Sequence, residues 1–77
     1  MKYIRVSVPP HAHPLVRRLF SIMARERLGV VELAKRSGIN KNTLHDWRTR
    51  SVPTVANLDA CLHVLGYRLT VEEINDA

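Results

Sequence analysis

Two short helical patterns lie only three residues apart between residues 30 and 49, and this stretch constrains the fold more than any other. Two helices that meet at a steep angle need a small residue where they approach, a residue that tolerates the left-handed conformation at the turn, and apolar side chains beneath the second helix. The sequence supplies these in order as Ala34, Gly38, Ile39, Leu44 and Trp47. We therefore expect two helices packed across a tight turn.

Two further helices are predicted around this pair. Pro14 suits a first helical position, and apolar side chains recur at helical spacing as far as about Arg27, namely at Leu15, Leu19, Ile22 and Met23. Thr54 can cap the other helix, which Gly66 closes and whose apolar stripe comprises Val55, Leu58, Cys61, Leu62 and Leu65. Within the central pair, the first helix starts near Val30 and Gly38 stops it. Asn40 caps the second, which we expect from Lys41 to about Thr49.

Both ends of the chain alternate apolar and polar residues, which is strand periodicity. This pattern covers residues 2–8 and residues 67–71. An isolated pair of strands is marginal in water, so these segments either pair with each other on the helical core or meet their copies across a dimer axis. We expect one all-α domain of four or five helices with short terminal strands, divided into an arm (1–13), a helical region (14–66) and a strand with an acidic tail (67–77).

Composition narrows the class of protein. A chain of 77 residues holds one domain, which excludes a multi-domain enzyme, and a core this small favours self-association. The net charge of +5 favours a polyanionic partner such as nucleic acid or an anionic membrane surface. The single cysteine, Cys61, allows no intrachain disulfide and suits a reducing cytosol. No apolar run is long enough to span a membrane, so we expect a cytoplasmic, nucleoid-associated protein without a membrane partner.

The central segment resembles the lambda-repressor-like helix-turn-helix family, the Cro and repressor type of phages and bacteria. The similarity lies in Glu32–Leu44, followed by Trp47, Pro53-Thr54, Leu58 and Leu65-Gly66, in order and approximate spacing. Family members usually open their second helix with a polar cap and a glutamine that contacts DNA phosphate. This chain has Gly29-Val30-Val31 there, and its connection is two residues shorter. The resemblance implies a helix-turn-helix domain that binds double-stranded DNA.

On a helical wheel, the predicted third helix places Leu44 and Trp47 inward and Lys41, Asn42 and His45 outward. In this family the outward face of the third helix enters the major groove, so the resemblance implies that Lys41, Asn42 and His45 read bases. Asparagine can pair with adenine, lysine can donate to guanine, and histidine can do either. Cations and caps near this helix are candidates for backbone phosphate contacts: Lys35, Arg36, Asn40, Thr43, Arg48, Thr49, Arg50 and Thr54.

Other combinations of reactive side chains give weak signals. His11 and His13 lack carboxylate or thiolate companions, so we expect a loop and no metal site. Cys61 and His63 are two apart on one helix and point away from each other, so we expect Cys61 in the core. No phosphate-binding glycine loop, paired carboxylates or serine elbow is present, and we expect neither an enzyme nor a cofactor.

The sequence therefore predicts a transcriptional regulator, a phage or bacterial repressor that binds DNA as a homodimer. Two copies on a two-fold axis read two half-sites and combine their binding energies. One alternative is the DNA-binding antitoxin of a toxin-antitoxin pair, whose arm of residues 1–13 engages a protein partner. A second alternative keeps the helix-turn-helix as an architectural or protein-interaction module without base reading.

Overall fold

The computed structural model describes residues 6–75, which form four helices. These are α1 (Pro14–Glu26), α2 (Val30–Ser37), α3 (Lys41–Asp46) and α4 (Val55–Val64). α2 packs against both α3 and α4, so it lies at the centre of the helical region. The all-helical fold expected from the sequence is confirmed.

Each helix boundary has a local physical cause. His13 Nδ1 accepts from the Leu15 amide at 3.1 Å and caps α1. Asn40 Oδ1 accepts from the Asn42 amide at 2.7 Å, and Thr54 Oγ1 from the Asn57 amide at 3.1 Å, so the predicted caps of α3 and α4 are confirmed. Gly38 ends α2 with φ 78°, a conformation that side chains with a Cβ rarely adopt. Gly38 and Asn40 keep the turn between α2 and α3 short.

One apolar core joins the helices, with Leu33 of α2, Leu44 of α3 and Leu58 of α4 among its members. Trp47 is only 3% exposed, as its predicted core role requires. Cys61 is a free, fully buried thiol, and this burial raises the pKa of the Cys61 thiol against the opposing effect of a hydrogen bond with the Ser37 side chain. The core is therefore built largely from the side chains that the helical patterns singled out.

Two predicted core positions are wrong. Leu15 is 45% exposed, and the inward face of α1 instead carries Val16 and Phe20 together with Leu19 and Met23. Those four side chains follow the i, i+3, i+4, i+7 spacing of one helix face, and Leu15 lies at its edge. Val55 is 76% exposed because the first turn of α4 extends beyond the packed core.

The regular part of α3 ends at Asp46, three residues before the predicted end at Thr49. The Asp46 carbonyl accepts from the amides of Thr49, Arg50 and Ser51 at 3.2, 2.7 and 3.0 Å. A single carbonyl that accepts three successive amides winds the backbone into tight turns, which cannot continue an α-helix. Residues 47–50 therefore form a turn that leads into the loop before α4.

The predicted terminal strands are not formed within residues 6–75. Residues 6–8 and 67–71 have no ladder partner, and residues 1–5 of the first prediction lie outside the described residues. The Leu69 amide donates to Asp59 Oδ1 at 3.4 Å, and Arg25 donates to the Tyr67 hydroxyl at 2.8 Å. The C-terminal segment is thus fastened to α4 and α1 by side-chain hydrogen bonds.

Candidate nucleic-acid interface

The outward face of α3 brings together the three predicted base readers. Lys41, Asn42 and His45 are all exposed, while Leu44 and Trp47 on the opposite face are buried. Within residues 6–75, none of the three exposed side chains forms a hydrogen bond or ion pair. The helix therefore presents an ammonium group, a carboxamide and an imidazole to solvent, while Leu44 and Trp47 anchor its opposite face in the core.

Asn40 and Asn42 have different tasks on this face. The Asn40 side chain is occupied by capping, because its Oδ1 accepts from the Asn42 amide. The Asn42 carboxamide has no such bond, and its backbone is held by the cap. A carboxamide on a fixed backbone can offer one donor and one acceptor in a defined direction, which is what bidentate pairing with a base edge requires.

Some of the side chains predicted to contact phosphate already form hydrogen bonds within the chain, and others do not. Arg36 Nε donates to Glu32 Oε2 at 2.9 Å, and Thr54 caps α4. Lys35, Thr49 and Arg50 are exposed and have no such bond to any described residue, and Thr43 is half-buried on α3. Thr49 and Arg50 lie in the turn after α3, whereas Lys35 lies on α2.

Arg48, a predicted phosphate contact, is hydrogen-bonded within the chain. Its guanidinium donates to the Ser7 carbonyl at 2.8 Å and to Ser7 Oγ at 2.6 Å. The same guanidinium carbon lies 4.9 Å from the centre of the Phe20 ring. We call these contacts the Arg48 clamp. The clamp fixes residues 6–13, here called the arm segment, against α1 and the end of α3.

Of the predicted arm, residues 1–13, the structure describes residues 6–13, and these fold back on their own chain. Pro9 is buried and its carbonyl accepts from the Ala12 amide at 3.5 Å. His13 ends the segment as the cap of α1. Sequence periodicity carries no signal for this docking, because the docking depends on one long side chain that meets Ser7 from 41 residues away.

Docking of the arm segment creates two clefts beside α3. One, of about 390 Å³, lies between the arm segment and the turn after α3, where its lining includes His11, His13, Thr49 and Arg50. The other, of about 670 Å³, lies between Ser7 and the start of α2, and His45 and Glu32 both line it. No acidic side chain lines the first cleft, so its electrostatics favour an anion.

Cys61 and His63, the pair of reactive side chains on α4, do not lie together. Cys61 is buried, whereas His63 is exposed and lies 3.5 Å from Asp59, so this cysteine and histidine do not meet as a nucleophile and base. Within residues 6–75 no three histidine, cysteine or acidic side chains are grouped closely enough to hold a metal ion. None of the helices in that range has the length and apolar character that crossing a membrane demands.

Comparison of the chain with known protein families, with curated proteins and with solved structures finds no match.

Proposed function

We propose that the protein is a sequence-specific DNA-binding regulator whose α2 and α3 act as a helix-turn-helix, with α3 as the reading helix. The observation that supports this most is the outward face of α3. Lys41, Asn42 and His45 lie exposed and unengaged above a buried Leu44 and Trp47. A helix so anchored can enter a major groove, which is wide enough to admit it.

In the proposed complex, each side chain has a role that its chemistry allows. Asn42 pairs with adenine N7 and N6, Lys41 donates to guanine, and His45 contacts a base at the far end of the helix. Arg50, Thr49 and Lys35 contact phosphates, since each is exposed and unengaged among the described residues. Arg36 and Arg48 contribute less, because Glu32 and Ser7 already occupy them.

We further propose that the protein acts as a homodimer. A lone helix-turn-helix covers few base pairs, whereas two copies reach half-sites about 34 to 36 Å apart. The C-terminal segment supports this proposal, since Val71 and Ile74 are 95% and 81% exposed in the single chain. Exposed apolar side chains on a small domain favour burial against another chain, and an extended segment can gain its strand partner there.

The test is selection of bound duplexes from a random pool at about 0.15 M salt. At this physiological ionic strength, interactions between distant surface charges are largely screened. An enriched pseudo-palindrome supports a sequence-reading dimer, and analytical ultracentrifugation of the complex gives the number of chains. Salt-sensitive binding without an enriched motif would contradict base reading and favour the architectural alternative. Absence of duplex binding would contradict the proposed function altogether.

A further inference from the structure

We propose that the cleft between the arm segment and the turn after α3 binds a phosphate of the DNA backbone, with Arg50 and His11 as ligands from its two walls. The inference rests on the proposed function and extends it, because it makes the arm segment part of the DNA interface. The occupant is a phosphodiester group, and the wall contributed by residues 9–13 is the new element.

The charge of the cleft argues for an anion. Its cationic side chains are Arg48 and Arg50, its neutral donors include Thr49 and Ser51, and no carboxylate is among its lining residues. Arg48 is held by Ser7, so Arg50 is the cation left for a ligand. Neither ion pair found among residues 6–75 includes Arg50. A cation with hydroxyl and imidazole donors around it matches the acceptor oxygens of a phosphate.

The wall formed by the arm segment is held before any ligand arrives. The Arg48 clamp fixes it at Ser7, Pro9 is buried, and the His13 cap fastens its other end to α1. His13 Nδ1 accepts a hydrogen bond, so in neutral His13 the ring proton resides on Nε2. His13 and the exposed His11 therefore border the cleft from a fixed backbone, which lowers the entropic cost of binding.

The place of the cleft relative to α3 fits a backbone contact. Trp47, Arg48 and Thr49 line it, and these residues immediately follow the helix whose first turn carries Lys41 and Asn42. Phosphate contacts orient a reading helix without carrying sequence information. A phosphate held in this cleft would fix the C-terminal end of α3 while its N-terminal end reads bases.

The experiment compares His11→Ala, Arg50→Ala and the double variant by fluorescence anisotropy. Each variant is titrated with the selected duplex and with a random duplex of equal length, at several salt concentrations and at pH 8. Arg18→Ala and His63→Ala serve as matched controls, since both side chains are exposed and neither lines the cleft. His11 is tested in place of His13, because loss of His13 would also remove the cap of α1.

We expect Arg50→Ala to weaken both duplexes about tenfold, as loss of a hydrogen bond to a charged group does. It should also make the slope of log K against log salt less steep by about 0.9. His11→Ala should weaken both duplexes about threefold with that slope little changed, because its imidazole contributes a hydrogen bond while Arg50 contributes the charge. The double variant should lose less than the product of the two single losses, because both side chains share one phosphate.

The binding results distinguish failure of this inference from failure of the proposed function. If wild-type protein binds duplex DNA and His11→Ala binds like wild type, the inference is wrong while the proposed function stands. A loss confined to the selected duplex would also overturn it, since phosphate contacts act on every sequence. If wild type binds no duplex, the proposed function and this inference fail together. Thermal denaturation of each variant separates lost binding from lost folding.

Discussion

At the N-terminal end of α3, Lys41 and Asn42 face solvent without a side-chain partner among residues 6–75, whereas at its C-terminal end Arg48 is held by Ser7 and lies over Phe20. Both ends carry polar side chains of the kind that bind DNA. They differ in what else lies nearby, because only the C-terminal end meets the arm segment. A cation beside a reading helix is therefore available to a ligand only where the rest of the chain leaves it free.

The largest expected effect is on stability, and it tests whether the buried Trp47 holds α3 against the core. Trp47→Ala should lower the free energy of unfolding by about 3 to 5 kcal/mol, since it removes a buried indole and leaves a cavity. The measurement is urea denaturation followed by circular dichroism. Lys41→Ala is the matched control, because its side chain is exposed on the same helix. An unchanged midpoint for Trp47→Ala would refute the anchoring role.

Asn42→Ala should affect binding and leave stability nearly unchanged. We expect a loss of about 1 to 3 kcal/mol on the selected duplex and relaxed preference at one base pair, because the carboxamide is free to pair with a base. Anisotropy titrations with the selected and a random duplex provide the measurement. Equal losses on the two duplexes would assign Asn42 to the backbone and remove it from the readers.

Arg48→Ala should affect stability more than Arg50→Ala, although the two arginines are only two residues apart. Loss of the Arg48 clamp removes two hydrogen bonds and a cation–π contact, which together contribute about 1 to 2 kcal/mol at a partly exposed site. Hydrogen exchange of the amides in the arm segment should become faster in Arg48→Ala alone. Equal exchange in the two variants would show that the arm segment docks without the clamp.

The smallest effect concerns the cap at the start of α3. Asn40→Ala should lower the free energy of unfolding by about 1 kcal/mol, because the Asn42 amide loses its acceptor. For a domain of this size, that corresponds to a fall of about 4 to 8 °C in Tm. Asn40→Ser should restore most of the loss, since serine also caps helices. If alanine and serine give the same Tm, capping does not hold α3.

The elements that the sequence predicts well are those set by local chemistry. Asn40 and Thr54 cap α3 and α4, Gly38 ends α2, and the stripe beneath α3 is buried. Each of these depends on neighbours within a few residues, so spacing and residue type are sufficient. The outward face of α3 follows from the same periodicity, and its exposed residues could therefore be named in advance.

The sequence-based predictions fail where residues far apart in the chain determine burial or pairing. Leu15 and Val16 are adjacent, and only the packing of the other helices against α1 determines which of them is buried. Alternation at 67–71 predicts a strand, but a strand also needs a partner, and residues 6–75 provide none there. The contact of Arg48 with Ser7 also escapes sequence patterns, because spacing gives no information about a residue 41 positions away. The role of His11 likewise depends on where the arm segment docks.

Two arginines make hydrogen bonds of long sequence separation within residues 6–75. Arg48 meets Ser7 across 41 residues and Arg25 meets Tyr67 across 42, and all four side chains involved are partly or fully exposed. Contacts of long sequence separation form late in folding, and exposed hydrogen bonds open at low free energy. The arm segment should thus detach before the helical core unfolds. On warming, the proposed phosphate cleft would open first, and the proposed DNA binding would weaken below Tm.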